Sequence, residues 1–225
     1  MKLYHHPVST TSRPIVLLAR ESGIALDYEV VDLFTGAQYK PDYLAINPSH
    51  QVPVLEDEGF RLTESSAILK YLADKKGSAA YPADARKRAR INERMDWFNT
   101  GFYRDFSYGF VYPQIFPFMR RADEAVQAGT IAYGRGQALG WLKILDESLI
   151  GPRNGYLCGD AITIADSLGA VMILGGETIG CSLAAYPNIS RWLANMKALK
   201  SWASVNEGFY KYVVEPNKGK AFLTL

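Results

Sequence analysis

The chain has 225 residues, 48% of them hydrophobic and 21% charged, and its 25 Lys and Arg nearly balance 23 Asp and Glu to a formal charge of +2. This is the composition of a globular protein long enough to bury a core, and it excludes intrinsic disorder and coiled coil. The near balance of charge also argues against nucleic acid or a membrane surface as partner, because such proteins carry a marked basic excess. Cys158 and Cys181 are the two cysteines, too few for a disulfide framework, which fits a cytoplasmic location. The N-terminus, Met1-Lys2-Leu3-Tyr4-His5-His6-Pro7, lacks the apolar run of a signal peptide. The apolar stretch from Ala161 to Gly176 is broken by Thr163 and Asp166 and is shorter than the ~20 residues of a spanning helix.

Strand and helix signals alternate at first. Lys2 to His5 reads as a strand, and Ser12 to Glu21 as a helix with Pro14 in its first turn and Gly23 as its stop. Leu26 to Val31 reads as a second strand, and Pro41 to Ala45 as a short helix. Val52 to Leu55 and Phe60 to Leu62 form a hairpin around the acidic turn Glu56-Asp57-Glu58-Gly59, and Glu64 to Lys75 has helical periodicity. Strand signals then stop. Beyond a Gly/Ser/Pro stretch, amphipathic segments run over Ala83 to Met119, Asp123 to Ile150, Thr163 to Leu174, Asn188 to Leu199 and Trp202 to Val213. The pattern is an α/β domain of order βαβαββα over residues 1–76, a linker over 77–86 and an all-helical domain over 87–225.

Three segments carry polar chemistry. Ser9-Thr10-Thr11-Ser12 places four hydroxyls before a helix N-terminus, where free N–H groups and the helix dipole favour an anion. Ser12 is the expected N-cap, and one of the other hydroxyls is free to donate to a thiolate. Asn47-Pro48-Ser49-His50-Gln51-Val52-Pro53 is a turn into a strand with proline at its entrance, which leaves the Val52 backbone open to an extended ligand. Glu64-Ser65 opens the third helix, where the pair suits an amino-acid head group, Ser65 on the carboxylate and Glu64 on the ammonium.

In this order and spacing, the three segments resemble the cytosolic glutathione transferases, above all the serine-type theta and delta classes and their bacterial relatives. The resemblance implies a thioredoxin-like N-terminal domain and a helical C-terminal domain. It makes Ser9 the catalytic hydroxyl that stabilises the glutathione thiolate, with Tyr4, Thr10 and Thr11 as the alternatives. It assigns Thr11, His50, Gln51, Val52, Pro53, Glu64 and Ser65 to glutathione binding, with Val52 pairing the cysteinyl backbone ahead of a cis Pro53. Ser66 stands where the delta pattern often has an arginine, and Arg13 is expected to be structural. Glutathione enters as co-substrate, a small hydrophobic electrophile is the second substrate, no metal is called for, and the protein is a homodimer. Glutathione-dependent disulfide or peroxide reduction, and a non-catalytic binding module, are the rival readings.

In the helical half, Thr163-Ile164-Ala165-Asp166 reads as a capping box. Ten aromatics crowd between Trp97 and Phe118. Phe98, Phe102 and Phe106 share one helix face, whereas Phe106, Tyr108, Phe110 and Tyr112 alternate as in a strand, and Pro113 and Pro117 interrupt a helix. Tyr103, Phe106 and Tyr112 are the candidate wall of an apolar electrophile pocket.

Overall fold

Lys2–His5 (β1) continues through a loop into Arg13–Ser22 (α1), which ends at Gly23 in the left-handed conformation (φ 63°). That helix is the crossover that lets Asp27–Val30 (β2) pair parallel to β1. Pro41–Leu44 (α2) follows, then the hairpin Val54–Asp57 (β3) and Phe60–Leu62 (β4), then Ser65–Lys76 (α3). β3 runs antiparallel to both β1 and β4, giving one sheet of order β2-β1-β3-β4. The computed structural model describes all residues, 1–225, and the expected βαβαββα order is observed.

Two details depart from the sequence expectation. β2 is shorter than Leu26 to Val31 and all four of its residues are exposed, since it is an edge strand. The hairpin turn is Glu58-Gly59 alone, with φ of 51° and 86°, because a two-residue turn with both φ positive matches the twist of its strands. Glu56 and Asp57 therefore belong to β3.

The second half begins with Ala85–Trp97 (α4), capped by Asp84, whose carboxylate accepts from Lys87 N at 2.9 Å. The chain stays helical through wider, π-type turns over Phe98–Val111 and on into Tyr112–Ile115 (α5). The strand-like alternation is thus overturned: Phe98, Phe102, Phe106 and Phe110 lie four apart on one fully buried face, with Tyr108 exposed on the other. Pro113 sits in the first turn of α5 rather than breaking the run. Glu124–Ile144 (α6) packs so closely on this segment that a Cβ on Gly134 would lie 2.4 Å from the Gly109 carbonyl carbon.

Ile164–Leu174 (α7) is buried along its whole length. The expected capping box forms, with Asp166 accepting from Thr163 N (2.7 Å) and Thr163 Oγ1 (2.8 Å), and the same carboxylate also takes Leu157 N (2.8 Å) and Trp192 Nε1 (2.9 Å). Its staple partner position is the polar Ser167, as the sequence indicated. Pro187–Lys197 (α8) and Trp202–Phe209 (α9) complete the helical half.

One hydrophobic cluster spans both halves, joining Leu3, Ile15 and Leu69 to Phe98, Leu168 and Trp192. A smaller cluster of Tyr4, Val31, Tyr43, Val52 and Val54 lies on the α2 side of the sheet. Between the halves, Ile164 N donates to the Ala80 carbonyl at 3.1 Å and Tyr81 is buried, so the connecting stretch is pinned to α7. No helix is long and apolar enough to cross a membrane.

Candidate active site

The loop from β1 to α1 is organised by Ser9. Its carbonyl accepts from Ser12 N (3.2 Å) and Arg13 N (3.1 Å), and its hydroxyl accepts from Ser12 N at 3.2 Å. Ser9 thus does the work expected of Ser12, whose backbone is already helical (φ −83°, ψ −41°) and whose buried hydroxyl has no partner. The Thr11 hydroxyl donates to the Val52 carbonyl (3.0 Å) and lies 3.1 Å from Ser9 Oγ. With the one Thr11 hydrogen committed to Val52, Ser9 is the donor in the Ser9–Thr11 bond. Thr10 turns the other way, 3.0 Å from the Tyr112 hydroxyl, which in turn lies 3.0 Å from that of Tyr103.

Opposite this loop, the Val52-Pro53 peptide bond is cis. Val52 is buried, its N–H meets no acceptor, and its carbonyl receives Thr11. The preceding turn is held by Asn47, which accepts from Ser49 N (3.0 Å) and donates to the Gln51 carbonyl (2.8 Å). Tyr43 donates to the same carbonyl at 2.6 Å, and burial pushes its phenol up to about 12, so it stays a donor at neutral pH. The His50 and Gln51 side chains are exposed, and the His50 ring lies 5.0 Å from that of Tyr39.

Pairing of Leu55 with Leu62 brings the start of α3 beside Val52-Pro53. There Glu64 has φ 62°, a strained value for a residue with a side chain, and its carboxylate is exposed and unpaired. Ser65 is buried beneath it, and its hydroxyl bonds no other group of the chain. An acid and a hydroxyl stand at a helix N-terminus with their hydrogen-bonding capacity unused, which is what an anionic and cationic head group needs.

Several candidates sit elsewhere. Phe106 is core: it is fully buried and stacked on Phe102 at 4.8 Å, so it presents no exposed face to a pocket. Tyr103 and Tyr112 are half-buried beside the loop, and burial, together with the neighbouring Tyr112 and Tyr108, raises the Tyr103 phenol well above its ordinary value. Tyr4 packs edge-on to Tyr43 in the smaller cluster. Cys158 and Cys181 are half-buried free thiols, each pushed up to about 11 by burial and hence poor nucleophiles.

Arg13 is buried in the structural position expected of it. Its guanidinium donates to Asn206 Oδ1 (2.6 Å), lies 4.0 Å from the Phe209 ring centroid, and is lowered to about 10 by burial. Asn206, like the pairings Thr11–Val52 and Thr10–Tyr112, escapes sequence reasoning because the partners are 193, 41 and 102 residues apart. The Asn47 turn was the detectable one, since Asn followed by Pro-Ser favours such a local bond.

A small mixed sheet with a cis-proline loop facing a hydroxyl-rich helix N-terminus, followed by an all-helical half, defines the class of thioredoxin-like proteins that carry a helical extension. Residues 1–74 match the family described as "Glutathione S-transferase, N-terminal domain", and residues 111–200 "Glutathione S-transferase, C-terminal domain". The chain is 30% identical to a delta-class glutathione transferase of Nilaparvata lugens, over 96% of this chain and 98% of that one, with TM-score 0.79. It is also 30% identical to a glutathione S-transferase termed unclassified 2 from Bombyx mori, over 97% and 99% of the two chains, with TM-score 0.81. Human glutathione transferase theta-2, solved with glutathione, is 25% identical over 96% of this chain and 88% of that one, with TM-score 0.85. The chain belongs to the glutathione S-transferase family and is a glutathione transferase.

Proposed function

We propose that the protein activates glutathione as a thiolate at Ser9 and joins it to a small hydrophobic electrophile. The observation that carries this reading is the set of bonds Ser9–Thr11–Val52, which sets the Ser9 hydroxyl beside the cis-proline turn whose Val52 N–H has no acceptor. An extended peptide pairing with Val52 brings its central thiol to Ser9. Gln51 and His50 border the glycyl end, Pro53 shapes the cleft, and Glu64 and Ser65 take the γ-glutamyl ammonium and carboxylate. Thr10 is bonded to Tyr112, and Tyr4 is packed away, so Ser9 is the better placed of the hydroxyl candidates.

A free thiol has a pKa of about 8.5, and lowering it by ~2 units requires ~2.7 kcal/mol of preferential thiolate stabilisation. A serine hydrogen bond together with the N-terminus of α1 supplies a term of that size. The thiol proton leaves to solvent. The sulfur then attacks the electrophilic carbon, the C–S bond forms, and the leaving group departs with its electron pair. Tyr103 and Tyr112 border the electrophile, and their phenols offer the polar contacts in an otherwise aromatic wall. The enzyme works as a cytoplasmic homodimer.

Ser9→Ala is the direct test, read as the pH dependence of thiolate absorbance in the glutathione complex. The bound thiol should titrate at least about one unit higher than in the unaltered protein. An unchanged titration removes Ser9 from the role.

A further inference from the structure

The hydroxyl chain points away from a bound sulfur. Ser9 Oγ accepts from Ser12 N and donates to Thr11, and Thr11 donates to the Val52 carbonyl, so the proton that a thiolate needs is engaged elsewhere. Each hydroxyl carries one hydrogen, so the direction of the whole chain is set by its last acceptor, the Val52 carbonyl.

We propose that Thr11 is a positioning residue whose hydroxyl reverses direction when a peptide N–H binds the Val52 carbonyl, turning its hydrogen to Ser9 Oγ and leaving the Ser9 proton free for the sulfur. This deepens the reading above, because it takes Ser9 as the thiolate's donor and Val52 as the peptide's pairing residue. In the reversed state Ser9 Oγ accepts from both Ser12 N and Thr11. Its lone pairs are filled, and its hydrogen is left with the thiolate as its acceptor. Chains of hydroxyls polarise one another, so a Ser9 that accepts from Thr11 is also a stronger donor than one that does not. No bond to hydrogen breaks in the reversal, and the step is two hydroxyl rotations.

The arrangement makes activation depend on the shape of the thiol compound. A peptide thiol supplies the N–H that keeps the Val52 carbonyl paired once Thr11 turns away. A simple thiol lacks it, leaves the chain in its resting direction, and gains less from Ser9. Thr11 thereby contributes to selection of glutathione over other thiols without touching the sulfur.

Thr11→Val keeps the shape and removes the hydroxyl, whereas Thr11→Ser restores it. In Thr11→Val the bound glutathione thiol should titrate about half a unit to one unit higher, with kcat reduced at pH 6.5 and the glutathione KM changed less than about twofold. Thr11→Ser should return both to the unaltered values. The rate with 2-mercaptoethanol as thiol should rise rather than fall in Thr11→Val, because the substitution removes the acceptor that engages the Ser9 proton. If Ser9→Ala raises the thiol titration and Thr11→Val does not, the reversal is wrong and the role of Ser9 stands. If Ser9→Ala itself leaves the titration unchanged, the underlying reading fails. Equal losses with glutathione and 2-mercaptoethanol in Thr11→Val would also overturn the proposal, since they mark a general disturbance of the loop.

Discussion

Thr10 Oγ1 and Tyr112 Oη lie 3.0 Å apart, a hydrogen bond between the loop that opens α1 and the segment that opens α5. The two halves of the chain therefore meet beside the proposed glutathione site, with the hydroxyl-rich loop in the first and the aromatic segment in the second. Tyr112 also bonds Tyr103, so the position of one phenol sets that of the next. Tyr112→Phe removes both links while keeping the ring. Glutathione affinity should stay within about twofold, while kcat/KM for electrophiles with a polar acceptor should fall about three- to tenfold, the worth of one hydrogen bond. Steady-state kinetics over a panel of polar and apolar electrophiles is the check.

Asp166 accepts four hydrogen bonds while fully buried, two from Thr163 and one each from Leu157 and Trp192. Burial raises its pKa, opposed by the Leu157 and Thr163 donors. Asp166→Ala leaves those donors without an acceptor, so the expected loss is about 3 kcal/mol or more, beyond the ~1 kcal/mol of an ordinary cap. Urea denaturation should show a lower midpoint with an unchanged slope.

Gly134 touches the Gly109 backbone, and a methyl group there would overlap the carbonyl at 2.4 Å. Backbone cannot move aside as a flexible side chain can, so α6 must shift from the wide-turn segment. Gly134→Ala should cost about 2 kcal/mol, whereas Gly136→Ala, with open space at its Cβ, should be neutral or slightly stabilising. Melting temperatures of the two variants should move apart.

His5 gives the fold a pH dependence. Burial, followed by the nearby charges of His6 and Arg20, lowers it from 6.5 to about 4, and its Nδ1 has no partner. The unfolded chain therefore binds a proton at higher pH than the folded one. The stability that neutral His5 contributes is complete above pH 6.5 and is lost progressively as pH falls toward about 4. Allowing for partial solvent screening, the loss should reach about 2 kcal/mol. His5→Asn should flatten stability against pH between those limits, measured by denaturant titration at fixed ionic strength.

Elements whose signal is local were legible in the sequence. The Pro14 start and Gly23 stop of α1, the Asp166 capping box and the succession of strands and helices in the first half all rest on neighbours within a few residues. Where the local signal was ambiguous, packing decided. Phe106 belongs equally to a strand-like alternation and a four-residue helical face, and burial of Phe98, Phe102, Phe106 and Phe110 together resolves it in favour of the helix. Ser12 has the right residue type for a cap, but its backbone has already turned helical, and the task passed to Ser9.

By itself, then, the sequence determined the class of fold and the segments from which the site is drawn, because residue type and short spacing govern caps, turns and the succession of elements along the chain. The tertiary structure alone decided which hydroxyl faces which partner. Thr11 meets Val52, Thr10 meets Tyr112 and Arg13 meets Asn206 across long stretches of chain. Those pairings follow from how the sheet, the loop and the helices close on one another, and a hydrogen bond that reaches only about 3 Å is invisible until that closure is known.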